Sequence, residues 1–277
     1  MSVTTRASDC EPISSRRNPL VGRLRDLHEP RGRRQQQRLL LEGTHLLQEA
    51  LRLQLNLELV LATPEWLSCH GALVAALPMA TRLQPATAEV LAAVATTRSP
   101  DGVVACGEPP SPAINPSPGF VLALDRLQDP GNLGTLLRTA LAAGVEQVWL
   151  ADGADPHAPK VLRASSGAAL ALPVERLDHA GLRQRLLGAG AAGLQRLATR
   201  AGAGQPYWEL DWSRPTVLLL GNEGAGLAED LAALADRCVT IPHSQAVESL
   251  NVAVAAAPLL LERWRQRQQR GAAPPAT

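Results

Sequence analysis

The apolar runs FVLAL (120–124) and TVLLL (216–220) constrain this chain more than any other feature. Both are apolar at successive positions. A strand with one face in water alternates, whereas a strand apolar throughout is covered on both faces. The rest of the second half alternates around them. A polar loop (DPGN) opens a helix through Gly134–Ala143, and VEQVWLAD follows as a strand. PKVLRASSGAAL and HAGLRQRLLGAG read as helices, and LQRLATR as a strand or sheet edge. After TVLLLG come the helix LAEDLAALA, the strand CVTIP and a long terminal helix, SLNVAVAAAPLLLERWRQRQQ. This order predicts a parallel sheet with helices on both faces.

The first half shows a looser α/β pattern. Leu20–Leu27 has helical apolar spacing after the turn signal Asn18-Pro19. Arg31–Gln37 reads as polar and exposed, and Thr44 as the cap of a second helix. LELVLATPEW is a strand that ends at a proline, and the alternation continues to VVACGEPP. Five prolines then crowd residues 107–118, which predicts a semi-rigid linker. The expected domains are a disordered lead-in over 1–13, a first domain over 14–106, that linker, a second domain over 119–270 and a disordered tail over 271–277. A length of 277 residues with 45% hydrophobic and 19% charged residues suits two soluble domains. No apolar run reaches about 18 residues, so no membrane helix is expected. The N-terminus lacks the apolar core of a secretory signal. Cys10, Cys69, Cys106 and Cys238 are scattered without C-x-x-C spacing. That argues against a metal site and predicts reduced thiols in a cytoplasmic protein.

Three segments carry chemistry. In LDRLQDPGNLGTLLRTALAAG a buried strand opens into a helix, where ligands of open α/β sheets bind. Asn132 sits just before that helix and Arg138 six residues on; a helix cap and a solvated arginine are the plainer reading of each. In TVLLLGNEGAGL the glycines fall at 221, 224 and 226, which matches neither a dinucleotide nor a phosphate loop. Glu223 within that turn disfavours a phosphate and suits a ligand with a positive or neutral end. In VTIPHSQAVESLNVAVAAAPLLLE, Ser249 and Asn251 begin an Ala-rich helix suited to close packing.

NLGTLLRTA, LLLGNEGAGL and IPHSQAVESLNVAVA, in this order, resemble motifs 1, 2 and 3 of the SpoU/TrmH family of RNA 2′-O-methyltransferases. RLLLEGTHLLQEAL and the strands after it resemble, more loosely, the L30e-like RNA-binding domain of many members. The resemblance implies an α/β fold: a C-terminal parallel-sheet domain with a deep trefoil knot, plus a smaller α/β L30e-like domain. No composition or spacing shows a knot, and knots are rare. It implies S-adenosylmethionine as cofactor, bound by Leu220, Gly221, Asn222, Gly224, Gly226, Ile241, Pro242 and Leu250. It places Asn132, Arg138, Glu223, Ser249 and Asn251 around the reacting centre, in a homodimer. The family has Met at His243 and Gly at Gln245, so this chain departs there.

A ribose hydroxyl must be aligned with the methyl donor and lose its proton. Because a guanidinium is effectively never deprotonated, Arg138 is read as a phosphate or oxyanion clamp, with the role of base left open. Residues 1–40 hold nine arginines against four acids. Arg16, Arg17, Arg31, Arg33, Arg34 and Arg38, with Arg163 in the second domain, are the candidate RNA contacts. The two-domain pattern suggests 23S ribosomal RNA as substrate. A transfer-RNA 2′-O-methyltransferase, a base methyltransferase and a non-catalytic RNA-binding factor of the same fold are the alternatives.

Overall fold

A computed structural model describes residues 11–269 except positions 112, 201, 203 and 245. It divides into two compact units. The first takes residues up to Ser111 together with His157–Ala171; the second takes the rest.

The first unit is built on a four-stranded sheet, order β1-β4-β2-β3, from β1 (Leu39–Glu42), β2 (Leu57–Ala62), β3 (Arg82–Pro85) and β4 (Val103–Gly107). β4 runs antiparallel to both neighbours, and β2 pairs with β3 in parallel. Its helices are α1 (Pro19–Asp26), α2 (Pro30–Gln36), α3 (Thr44–Arg52), α4 (Pro64–Cys69), α5 (Gly71–Ala76) and α6 (Ala88–Val94). Local chemistry sets several starts. Asn18 accepts from the Leu20 amide at 2.9 Å and Pro19 follows it, the arrangement a helix start prefers. Thr63 and Thr87 cap α4 and α6. Leu24, Leu27, Leu40, Leu59, Leu61 and Val90 form the centre of one core.

Four expectations are corrected here. Ile13, assigned to the lead-in, bridges Ala86 through Ile13 N to Pro85 O and Thr87 N to Ile13 O, both 3.0 Å. Arg31–Gln37, expected to be exposed, buries Gly32 and Arg33; most of it is the helix α2, started by Pro30 and ended at Gln37 in the left-handed region. Thr44 does not cap α3: the Thr44 amide is held by Asp101 at 2.8 Å, while its hydroxyl accepts from Trp66 Nε1 at 2.8 Å. PKVLRASSGAAL is two helices, α8 (Pro159–Ala164) and α9 (Ala168–Ala171), parted by Ser166 and Gly167 at φ 49° and 81°. Positive φ at successive residues cannot continue a right-handed helix. α8 packs on β1.

The second unit carries a seven-stranded sheet in which every pairing is parallel, order β7-β6-β5-β10-β8-β11-β9. Its strands are β5 (Phe120–Asp125), β6 (Gln147–Ala151), β7 (Val174–Leu177), β8 (Gln195–Thr199), β9 (Gln205–Pro206), β10 (Thr216–Leu220) and β11 (Arg237–Thr240). Its helices are α7 (Pro130–Ala142), α10 (His179–Ala191), α11 (Glu229–Ala232) and α12 (Val252–Gln269). On one face Val121, Ala123, Val217 and Leu219 pack with Leu182, Leu186 and Leu231. Leu122, Leu124, Leu218 and Leu220 point the other way by the period of a strand and are equally buried. α7 and α12 pack together. LQRLATR is an interior strand, between β10 and β11. LAEDLAALA forms only the single turn α11, and α12 begins at Val252, after Ser249. The expected tail, 271–277, lies outside the described residues.

Candidate active site

Adjacent parallel strands deliver their carboxyl-end loops to one place. β5 ends on Asp125, whose buried carboxylate accepts from Arg126 Nε and Nη2 and from the Ala228 amide, each at 3.0 Å. Arg126 turns the chain at φ 53°, and the hydrogen bond to Asp125 holds its guanidinium above the ordinary value. Its carbonyl accepts from Asn222 Nδ2 at 2.8 Å, which ties the loops after β5 and β10 together. α7 starts one turn earlier than expected. Asp129 is its cap, accepting from the Asn132 amide at 2.9 Å, so Asn132 lies inside the first turn.

The loop after β10 is folded around two residues. A Cβ on Gly221 would lie 2.1 Å from Leu227 N and 2.2 Å from the Gly226 carbonyl carbon, so only glycine fits. Asn222 exchanges both backbone hydrogen bonds with Gly226 at 3.0 Å, and its Oδ1 accepts from the Gly224 and Ala225 amides at 2.9 Å. This turn presents Glu223. Glu223 Oε1 accepts from the Asp129 amide and Asn132 Nδ2, and Oε2 from the Gln128 amide, each at 3.2 Å. Burial, the largest single influence, raises its carboxyl pKa. Hydrogen bonds from its own amide, from Asn132 and from the amides of Gln128 and Asp129 outweigh burial and hold it below the ordinary value. Asn132 Oδ1 in turn accepts from Asn251 Nδ2 at 2.9 Å, while Asn251 Oδ1 caps α12 through the Ala253 and Val254 amides. Glu223, Asn132 and Asn251, from three separate segments, therefore form one hydrogen-bonded chain with each amide orientation determined by its partners.

Beside this chain lies a cavity of about 530 Å³. Asn132, Glu223, Ser249 and Asn251 all line it. So do Leu220, Gly221, Asn222, Gly224 and Gly226 of the β10 loop, with Ile241 and Leu250. Pro242 is not part of the lining. Arg138 is exposed on α7, outside the cavity, and makes no hydrogen bond or ion pair with the described residues. Its separation from the other four follows from α7 itself: six residues carry it about 9 Å along the axis.

The sequence reading missed Thr199 and Arg200, which reach the cavity from the end of β8. Treating LQRLATR as a possible edge hid this, because only an interior neighbour of β10 brings its carboxyl end to the same crevice. Glu248 and Thr240 also line the cavity. His243 does too, with Nδ1 2.7 Å from the Ile241 carbonyl. An Nδ1 that donates to a carbonyl carries the proton, so neutral His243 keeps Nε2 as an acceptor. Gln245 lies outside the described residues. Among the described residues no cluster of metal-ligating side chains occurs, and no helix is long and apolar enough to cross a membrane.

The candidate RNA-contacting arginines separate into two groups. Arg16, Arg17, Arg31 and Arg34 are exposed. Arg33 is buried, 5% exposed, and donates from Nη1 to the carbonyls of Leu27 and His28 at 2.8 and 2.7 Å. That corrects its reading as a phosphate contact, since it serves the carboxyl end of α1. Arg38 is held by Glu58 and Glu108, and Arg163 by Glu42 and the Thr96 hydroxyl.

Residues 119–261 match the SpoU rRNA Methylase family, and residues 18–105 match the MRM3-like substrate binding domain. An uncharacterized tRNA/rRNA methyltransferase of Synechocystis sp. is 45% identical over 94% of this chain and 96% of its own length. The 23S rRNA (guanosine(2553)-2′-O)-methyltransferase RlmP of Bacillus subtilis is 34% identical over 90% of this chain and 97% of its own. Among solved structures, the AdoMet-bound rRNA methyltransferase of Sinorhizobium meliloti superposes with a TM-score of 0.79 at 30% identity, covering 92% of this chain and 98% of that one. With a matched domain over half its length and relatives of 45% and 34% identity aligned over 90% or more of it, the chain belongs to the SpoU rRNA methylase family.

Proposed function

We propose that this protein transfers a methyl group from S-adenosylmethionine to a ribose 2′-hydroxyl of ribosomal RNA, 23S RNA in particular. The observation that carries the reading is the Glu223–Asn132–Asn251 chain on the rim of the cavity. The names of RlmP and of the AdoMet-bound structure support the substrate and the cofactor.

The cavity suits that cofactor. Its volume of about 530 Å³ lies within the range of small-molecule sites. Two carboxylates, Glu223 and Glu248, face it, which suits a sulfonium cation. Leu220, Gly221, Asn222, Gly224 and Gly226, with Ile241 and Leu250, would hold it; Pro242 would act only by shaping the backbone. When bound, the cofactor supplies a methyl group already activated by its positive sulfur. The protein's task is then to align the hydroxyl and assist loss of its proton. Glu223 and Asn132 hold the loops after β10 and β5 in register, and Asn251 fixes the start of α12 against them. Ser249 offers a hydroxyl at the same rim. Arg138, exposed and unpaired, is free to take a substrate phosphate in its planar fork. Arg16, Arg17, Arg31 and Arg34 are the arginines best placed to meet RNA in the first unit; Arg38 and Arg163 must first leave their carboxylates.

The reading includes a homodimer, the knot implied by the family and a cytoplasmic location. What supports the knot is the family membership. The test is methyl transfer from labelled cofactor to ribosomal RNA, followed by alkaline hydrolysis. A linkage that resists cleavage is expected, because the 2′-oxygen is blocked. Label on an alkali-cleavable nucleotide would mean base methylation, and no transfer would favour an RNA-binding factor. Arg138→Lys should lose most activity if fork geometry matters.

A further inference from the structure

The two-residue strand β9 lies at the edge of the sheet, parallel to β11, with Gln205 opposite Val239 and Pro206 opposite Thr240. The next residues, Tyr207–Glu209, leave the strand as a single 3-10 turn that packs on α12. Val239, Thr240 and Ile241 line the cavity. The aromatic pair thus follows directly on the strand that pairs with one lining the cavity.

This pair is held firmly. Trp212, completely buried, donates its indole N–H to the Tyr207 carbonyl at 2.7 Å. Gln266 of α12 accepts from the Trp212 amide at 2.9 Å and donates to the Leu210 carbonyl at 3.0 Å. Tyr207 meets Trp208 edge to face, centroids 5.0 Å apart at 71°. Trp208 is nevertheless 51% exposed, whereas Trp66, Trp149 and Trp212 are all buried. Its ring contributes little to the core, yet its backbone is fixed at both ends. Two exposed arginines belong to the next two strands of the sheet, Arg237 at the start of β11 and Arg200 just past the end of β8. Arg237 donates to Gln205 at 3.4 Å, and the Arg200 amide bonds the Val239 carbonyl while its residue lines the cavity. An exposed aromatic on a fixed backbone, in a sheet whose neighbouring strands carry exposed arginines, is the kind of equipment with which proteins hold unstacked RNA bases.

We propose that Trp208 is a stacking platform for a nucleobase of the single-stranded RNA segment that carries the methylated ribose. The proposal rests on the RNA methyltransferase reading above. Stacking tolerates any base, so Trp208 supplies affinity and register, and sequence choice lies elsewhere.

The experiment compares wild type with Trp208→Ala, Trp208→Leu and Trp208→Tyr. Binding of a ten-nucleotide oligoadenylate and of purified large-subunit ribosomal RNA is measured by anisotropy, and cofactor binding by calorimetry. Trp208→Ala and Trp208→Leu should weaken RNA binding about 5-fold to 100-fold, the range for one stacked base. Trp208→Tyr should retain most of it, and all three should bind S-adenosylmethionine as wild type does. Indole emission should fall on adding oligoadenylate to wild type and change little in Trp208→Tyr. Unchanged RNA affinity in Trp208→Ala, or equal affinity in Trp208→Leu and wild type, overturns the proposal. Conversion of a wild-type dimer to a monomer by Trp208→Ala overturns it in favour of a contact between copies of the chain. If wild type itself neither binds the cofactor nor methylates ribosomal RNA, the methyltransferase reading has failed, a result distinct from either.

Discussion

Glu42 and Arg163 form the ion pair whose energetics can be worked furthest from the structure. Glu42 Oε1 accepts from Arg163 Nη1 at 2.7 Å and from the Thr96 hydroxyl at 2.6 Å, and Oε2 accepts from the Thr96 amide at 2.9 Å. The Arg163 side chain keeps 28% of its surface in solvent, and that of Glu42 only 3%. The two partners are therefore unequal. Without Glu42, Arg163 can turn to water and Thr96 is exposed; losing the charged hydrogen bonds should cost about 1–2 kcal/mol. Without Arg163, a carboxylate stays buried with one neutral residue for company, and the loss should approach about 3–4 kcal/mol. Hydrogen exchange along β1 and α8 reads this directly. Arg163→Met should speed exchange of the β1 amides roughly 100-fold or more, and Glu42→Gln about 10-fold, at about 1.4 kcal/mol per decade. The double replacement Glu42→Leu with Arg163→Met should be milder than Arg163→Met alone. If Glu42→Gln proves the more damaging, the buried carboxylate is not the costly group and the argument fails.

Three further outcomes are expected. Glu223 has a folded pKa below its unfolded value, so the stability it confers is complete above about pH 4.3 and lost as pH falls through the folded value; amide protection at Gln128 and Asp129 should show this acid loss in wild type and none in Glu223→Gln, and an identical profile in both would refute it. Gly221→Ala places a Cβ against backbone that cannot move aside, so calorimetry should find S-adenosylmethionine binding at least about 100-fold weaker and melting should show overpacking of about 1–3 kcal/mol; normal binding would show that the loop yields. Burial, with Glu58 adding to it, pushes the Cys106 thiol up to about 11, while Cys69 is exposed, so a maleimide near pH 7.5 should modify Cys69 in the native protein and Cys106 only after unfolding, as peptide mapping would reveal.

What the sequence made legible follows from how far apart the interacting residues are. FVLAL and TVLLL announce doubly covered strands because burial on both faces leaves no polar positions. Their pairing as neighbours then brings the loop bearing Asn132 to the loop bearing Glu223, 91 residues later. The turn signal Asn18-Pro19 marked where α1 begins because the capping side chain and the amide it holds lie two residues apart. Thr44, read as a cap, was misplaced because its amide is satisfied by Asp101, 57 residues away. Asp129 and Asn132 both suit a helix start, and only the backbone decides between them. Arg33 illustrates a different limit: within RGRR every arginine has the same local pattern, and the fold selects one to bury. Arg200 escaped because the site draws on the end of a strand whose position in the sheet no local pattern reveals.

The first compact unit includes His157–Ala171, so α8, which covers β1, is encoded well after the strand it protects. On the ribosome, residues up to Ser111 emerge roughly 45 residues before that helix. At about 5–20 residues per second this leaves a window of a few seconds. During it, the Glu42 carboxylate has no guanidinium and one flank of β1 stands bare. The nascent chain is open to chaperones and to misassociation in that interval, which any pause in synthesis before the helix emerges would prolong.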